Sequence, residues 1–371
     1  MFIFPTILHR LMLRIQSISL FQFKNYNNRS FQFDRRIIAI CGKNGAGKTN
    51  LLDAIHYLCF TRSHFTRLDS MNIQQGKDGF RISGNLMKWE KNEEGVCIVR
   101  ETGRKEFSIN GAPYSRFSEH IGYYPCVIIA PDDADLITGT GEHRRRFLDS
   151  LVSQLDPEYL RNLITYTKVL WQRNSLLKSF DELTGKNISL LDVLDAQLIS
   201  PGEYLFNKRK EFLVSFLPLV VRAYKDIAEG PEELVLWYES ELFHSTYSEL
   251  LLGSRQKDYT ARRTTSGIHR DELETELNGL PFRNVASQGQ RKSLLLAFKL
   301  AEMEVLKEEK GYSPLLLLDD VFDKLDEDRV ANLLKKVCAE NDGQVFITDT
   351  NSIRLKEHLE KFLIPYQLVE L

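Results

Sequence analysis

Hydrophobic positions change their spacing several times along the chain, and each change marks an element. Leu13-Arg14-Ile15-Gln16-Ser17-Ile18 alternates in steps of two, which predicts a strand with one buried face. Ile37–Cys41 is a short unbroken apolar run, the pattern of a strand buried on both faces. Leu51, Leu52, Ile55 and Leu58 then fall at helical spacing and predict a helix over Asn50–Phe60. Phe80–Asn110 alternates weakly and carries Glu94-Gly95 and Asn110-Gly111, which predict turns between antiparallel hairpin strands. Cys126–Ala130 is a further buried strand, ended by Pro131.

From about Gly141 the spacing becomes that of long helices. Leu148, Leu151, Val152 and Leu155 form one stripe, continued after Pro157 by Leu160, Leu163 and Ile164. A second series runs through Leu191, Leu194, Leu198, Phe212, Phe216 and Val220, with Pro201 expected to break it. Two antiparallel helical arms are the simplest reading. Strand spacing returns at Leu234–Tyr238, and compact apolar runs follow at Leu315–Leu318 and Val345–Thr348. The expected organisation is an α/β unit formed by residues 1–140 and 231–371, with a helical domain inserted over 141–230.

Composition adds limits. A net charge of −2 means that any nucleic-acid surface must be a local patch. Five irregularly spaced cysteines read as reduced, buried thiols of a cytoplasmic protein. The apolar stretch in residues 1–11 is too short to span a bilayer and lacks a signal-peptide layout. Because Met12 directly precedes the first strand, residues 1–11 read as an upstream extension, with Met12 the true start.

Gly42-Lys43-Asn44-Gly45-Ala46-Gly47-Lys48-Thr49 fits the phosphate-loop pattern G-x-x-x-x-G-K-[ST], between a strand and a helix as that loop requires. Its glycines let successive N–H groups turn toward phosphate oxygens, and the following helix adds its positive end. Lys48 is expected on the β- and γ-phosphates, and the Thr49 hydroxyl on Mg²⁺. Leu315–Leu318 ends in Asp319 and Asp320, where ligands bind in parallel sheets. Asp319 is expected to hold Mg²⁺ through water and Asp320 to orient or deprotonate the attacking water; a solvated Asp pair is the plainer alternative. Ser287-Gln288-Gly289-Gln290-Arg291 opens a helix, with Ser287 as its N-cap and Gly289's bare backbone facing an anion, or merely capping.

The order phosphate loop, Ser287–Arg291, Asp319-Asp320 resembles the ABC-type ATPases. A fuller resemblance, from about Leu13 to the C-terminus, is to the RecF family of the SMC-like branch. It rests on Phe23-Lys24-Asn25-Tyr26, Gly42–Ile55, Arg62-Ser63-His64, Arg144–Asp149, Gly267-Ile268-His269-Arg270-Asp271, Ser287–Arg291, Leu318–Val321 and Leu325-Asp326. The resemblance implies an α/β fold: an ABC-type P-loop ATPase head with antiparallel β hairpins and an inserted helical arm domain. It implies ATP and Mg²⁺ as cofactors, Lys48 and Asp320 as catalytic residues, and Thr49 and Asp319 as metal ligands. Gly42–Thr49 of one subunit would bind nucleotide together with Ser287, Gly289 and Gln290 of a second. Also implied are a weak, DNA-stimulated ATPase, an ATP-dependent homodimer, and binding to duplex and single-strand/double-strand junctions. The setting would be recombinational repair, replication-fork maintenance and the SOS response in the cytoplasm, with RecR and RecO type mediators.

Departures from the family pattern are Asp53 in place of the usual Glu, and Phe322-Asp323-Lys324 after the acidic pair. Pro131-Asp132-Asp133 stands where a Q-loop glutamine is expected. A switch histidine is missing from Ile347-Thr348-Asp349-Thr350, leaving Thr348 or Asp349 as γ-phosphate sensors; slow hydrolysis would fit both gaps. DNA-facing candidates are Arg62, His64, Arg67, Arg144–Arg146, Lys208-Arg209-Lys210 and Arg262-Arg263. Each is also readable as a solvated or structural cluster, and Arg145 or Arg146 could bridge to Asp149 along one helix. A transporter-type nucleotide-binding subunit is disfavoured by the roughly 245 residues between Gly42 and Ser287. At about 1.5 Å per residue the helical arms are too short for the coiled coil of an SMC chromosome protein. The stretch after Asp320 leaves no room for a separate nuclease domain.

Overall fold

The computed structural model describes residues 12–179, 185–228, 232–322, 327–361 and 363–371. The proposed upstream extension and Leu325-Asp326 lie outside these residues. Two compact units are present, one comprising the chain up to Asp132 with Lys299–Leu371, the other Asp133–Phe298.

In chain order the elements begin with β1 (Leu13–Phe23), β2 (Tyr26–Gln32), β3 (Ile37–Cys41) and α1 (Lys48–Phe60). Next come β4 (Gly79–Lys88), β5 (Lys91–Arg100), β6 (Lys105–Ile109), β7 (Ala112–Pro113) and β8 (Cys126–Ile129). The second unit holds α2 (Asp135–Thr138), α3 (Gly141–Leu155), α4 (Pro157–Ser179), α5 (Gly185–Ala228), β9 (Leu234–Glu239) and α6 (Tyr247–Ala261). It continues with β10 (Glu272–Leu277), β11 (Leu280–Pro281), α7 (Phe282–Val285) and the start of α8 (Gln288–Lys310). Then β12 (Leu315–Leu318), α9 (Glu327–Leu334), β13 (Val345–Asp349), α10 (Ser352–Lys361) and β14 (Tyr366–Glu370) complete the first unit.

The first unit contains two sheets. One is antiparallel, in the order β2-β1-β4-β5-β6-β7; the other is parallel, in the order β14-β3-β13-β12-β8. Strands β3, β12 and β13 are buried throughout; β3 and β12 are unbroken apolar runs, and β13 is apolar up to the polar Thr348 and Asp349 at its end. Helix α1 contacts strands of both sheets, and its whole length from Leu51 to Phe60 is buried. A helix covered on all sides must be mostly apolar and must pair the polar groups it buries, here Asp53 and His56. The fit is tight where Gly84 pairs with Gly95, since a Cβ at Gly84 would stand 2.5 Å from Leu58 Cδ1.

That packing corrects the hairpin reading. Gly95 is a strand residue inside β5, not a turn. The β4–β5 turn is formed by Trp89 and Glu90, both at positive φ, while Asn110-Gly111 does turn the chain between β6 and β7.

In the second unit α4 and α5 run antiparallel, as shown by Arg173 against Asp195 near one end and Tyr159 against Arg209 near the other. Helix α5 continues through Pro201 and Pro218, contrary to the expected break. Leu191, Leu198 and Leu205 are fully buried in one line across Pro201, and that packing offsets the lost backbone bond. Strands β11, β10 and β9 form a small antiparallel sheet. All five cysteines are free and buried. Among the described residues no helix is long and apolar enough to cross a membrane.

Candidate functional site

The phosphate loop leaves the C-terminal end of β3 and enters α1 at Gly47, whose φ of 112° is left-handed. Gly45 is also left-handed, at 81°; L-residues rarely adopt either, so both glycines are required by the backbone. Lys43, Asn44 and Gly45 are exposed at the crest, and Gly42 and Ala46 are half-buried at its flanks. Lys48 is buried, and its Nζ donates to the carbonyls of Gly42 (2.9 Å) and Lys43 (3.4 Å). The ammonium is therefore held over the inside of the loop.

Residues far apart in the chain meet at the start of α1. Thr49 Oγ1 donates to Asp319 Oδ2 at 2.8 Å, and Thr348 Oγ1 donates to Asp319 Oδ1 at 2.8 Å. The parallel sheet makes this possible because β3, β13 and β12 are neighbours and all end on the same side. Burial pushes the Asp319 carboxyl up from its usual range, and the Thr348 and Thr49 hydroxyls oppose that shift. Asp320 stands at a left-handed φ of 46°, with its N–H donated to Thr348 Oγ1 at 3.0 Å. The Thr49 hydroxyl and the Asp319 carboxylate form a pair of hard oxygen donors, which suits a magnesium ion completed by phosphate and water. Asp349, the alternative sensor, is buried and its carboxylate is clamped by Arg354 Nε and Nη2 at 3.0 and 2.8 Å.

A second polar cluster on α1 escaped functional reading from sequence. Asp53 is fully buried; it accepts from Ser63 Oγ (2.7 Å) and the His64 N–H (2.8 Å), and Lys24 Nζ stands 2.6 Å from Oδ2. Three separate stretches that carry the family resemblance thus converge on one carboxylate. Their pairwise spacing gave no sign of it.

Ser287–Gln290 belongs to the second unit. Ser287 accepts the Gln290 N–H (3.2 Å), and Gln290 Oε1 accepts the Ser287 N–H (2.7 Å), a reciprocal cap on α8. Gln290 Nε2 also donates to Glu232 (2.8 Å). Ser287 is exposed, and its role as acceptor leaves the hydroxyl proton to be donated outward.

The basic clusters separate by burial. Arg209 is buried and divides its donors among Tyr159, Ile268 O, Asp271 and Asp149. Asp149 is thus bound by Arg209, not by Arg145 or Arg146; Arg145 reaches Asp271 O and Glu272, and Arg146 pairs with Glu142. Arg144 also bridges to Glu272. Arg262 stacks over Tyr259 with its guanidinium 5.0 Å from the ring centre. Gly267–Asp271 lies at the heart of this network, with His269 Nδ1 accepting from Tyr166 Oη at 2.8 Å and Asp271 bound to Arg209.

A family model described as the RecF/RecN/SMC N terminal domain matches residues 14–364. The DNA replication and repair protein RecF of Flavobacterium johnsoniae is 42% identical over 359 residues, 97% of this chain and all of that one. RecF of Parabacteroides distasonis is 43% identical, over 93% of each chain. A solved structure of the recombination mediator protein RecF with ATP, in the RecFOR pathway, superposes with a TM-score of 0.84 at 29% identity, covering 92% of this chain and 93% of that one. The Smc head domain of Pyrococcus furiosus, at 19% identity and a TM-score of 0.54, shares the fold. The fold is therefore that of an ABC-type ATPase head, α/β with antiparallel hairpins. Within that class the chain belongs to the RecF family of DNA replication and repair proteins.

Proposed function

We propose that this chain is an ATP-gated DNA-binding ATPase that dimerises around two nucleotides at gaps and single-strand/double-strand junctions. The observation that carries the reading is the 2.8 Å bond between Thr49 and Asp319, which joins the phosphate loop to the acidic strand end. Gly42, Lys43, Asn44, Gly45, Ala46 and Gly47 would cradle the phosphates through their N–H groups. Lys48 would leave its loop carbonyls for the β- and γ-phosphates, exchanging neutral acceptors for charged ones. Thr49 and Asp319 would hold Mg²⁺, which when bound supplies charge neutralisation to the phosphates. Asp320 would orient the attacking water.

Ser287, Gly289 and Gln290 would complete the nucleotide site of a second copy. An exposed hydroxyl at the positive end of a 23-residue helix suits a γ-phosphate better than solvent. DNA recognition would read backbone and junction shape, with hydrolysis ending residence on DNA. Loading of recombinase with RecR and RecO type mediators, stimulation of the ATPase by DNA, support of the SOS response, a cytoplasmic location and a helical insertion over 141–230 belong to the same reading.

Light scattering with ATP, ADP and no nucleotide tests it, on wild type, Lys48→Met and Ser287→Arg. Dimers are expected for wild type with ATP alone. A wild type that stays monomeric with ATP, together with normal hydrolysis by Ser287→Arg, would sink the shared-site mechanism.

A further inference from the structure

The roles assigned above leave Asn25 and Tyr26 without a task, although both sit on the phosphate loop. Asn25 Nδ2 donates to Ala46 O at 3.2 Å, and Tyr26 Oη donates to Gly47 O at 3.0 Å. In a trans peptide the C=O and the N–H of one unit point in opposite directions. A carbonyl held from outside therefore turns the next residue's N–H inward. The two N–H groups governed in this way are those of Gly47 and Lys48, at the entry to α1.

Each donor is itself fixed. Asn50 Nδ2 donates to Asn25 Oδ1 at 2.8 Å, so the acceptor end of the Asn25 amide is taken and its Nδ2 faces Ala46. The Tyr26 side chain is buried, its ring edge-on to Phe31 with centroids 5.8 Å apart. Burial also pushes its hydroxyl up to about 12, with Arg29 opposing, so it remains a donor at physiological pH. Gly47 O shares its second lone pair with the first helical bond, from the Leu51 N–H at 2.9 Å. A Cβ at Gly47 would lie 2.7 Å from Asn25 Nδ2 and 2.8 Å from Tyr26 Oη, so the glycine admits both side chains as well as the backbone turn.

We infer that Asn25 and Tyr26 are positioning residues that preset two amides of the phosphate loop for a nucleoside triphosphate. They do so by anchoring the carbonyls of Ala46 and Gly47 from outside the loop. The inference rests on the ATP-binding reading. Its physical content is preorganisation: a loop already in its binding conformation spends less affinity on ordering itself.

The test is titration of the full chain with a fluorescent N-methylanthraniloyl ATP in the presence of Mg²⁺. Tyr26→Phe removes one hydroxyl and keeps the ring, while Asn25→Ala truncates an exposed side chain. Each is expected to raise Kd about fivefold, matching one neutral hydrogen bond of about 1 kcal/mol, and the double variant about twenty-five-fold. The thermal midpoint of nucleotide-free Asn25→Ala should stay at the wild-type value. A double variant that binds with wild-type Kd would overturn the positioning role while leaving ATP binding intact. Absence of saturable binding by wild type itself would remove the ATP reading and the positioning role together.

Discussion

The Thr348 hydroxyl gives its single proton to Asp319 Oδ1 and takes the Asp320 N–H on a lone pair, at 2.8 and 3.0 Å. One side chain at the end of β13 thus sets both acids at the end of β12. Its hydroxyl is occupied by the acids rather than presented to a γ-phosphate. Thr348→Val keeps the shape and deletes both bonds, and should slow ATP turnover about tenfold with a smaller change in KM. Thr348→Ser should recover most of the rate. Steady-state phosphate release at saturating Mg-ATP measures both.

Asp53 is a charge buried among fixed partners, and removing it strands another. Asp53→Ala leaves the Lys24 ammonium, whose side chain is only 13% exposed, without its carboxylate. A loss of about 3 kcal/mol is expected in urea unfolding. Combining Lys24→Met with Asp53→Leu should recover more than half of it, because an apolar pair carries no desolvation cost. A double variant as unstable as Asp53→Ala would show that the Ser63 and His64 bonds, not the ion pair, dominate.

Arg209 sits in a basic run yet is buried, with four of its five N–H donors engaged inside the protein, so it is not placed to meet a phosphate. Its planar fork serves four groups at once, which an ammonium cannot reproduce. Arg209→Lys should therefore cost about 3 kcal/mol of stability. The slope of DNA affinity against salt should stay unchanged for the protein that remains folded. Urea unfolding and fluorescence anisotropy across KCl concentrations separate these effects.

Acid sensitivity follows from His120. Its Nε2 lies 2.8 Å from Leu58 O, as donor, and Nδ1 is buried without a hydrogen-bond partner among the described residues. Burial holds its pKa at about 4, below the ordinary 6.5, despite the opposing Leu58 bond. Above pH 6.5 the ring is neutral in folded and unfolded chains, and stability is fully present. Between 6.5 and 4 the unfolded chain takes up the proton first, so stability falls with pH by on the order of 3 kcal/mol. Urea midpoints across that range should slope for wild type and flatten partly in His120→Gln.

The local signals in the sequence were those that a single stretch can carry. Strands β3 and β12 kept the predicted bounds because burial on both faces forces an unbroken apolar run. The phosphate loop was legible for a similar reason, its glycines and Lys48 being contiguous. The Trp89-Glu90 turn was hidden, since neither residue advertises positive φ. Pro201 misled because the packing that carries α5 past it involves residues on both sides. The links Thr49–Asp319, Lys24–Asp53 and Asp149–Arg209 join distant positions, and one sequence contains no measure of which acid meets which base.

The position of β3 has a consequence for how the protein is made. Ile37 at its start pairs with Val345 on one side and Tyr366 on the other, and the Leu371 N–H bonds to Cys41 O just before the phosphate loop. A ribosome therefore emits the nucleotide loop about 300 residues before the strands that flank β3. Over that interval β3 lacks both of its sheet partners and stays open to chaperones or to wrong pairing, while α1 can pack on β4 and β5 as soon as they follow it.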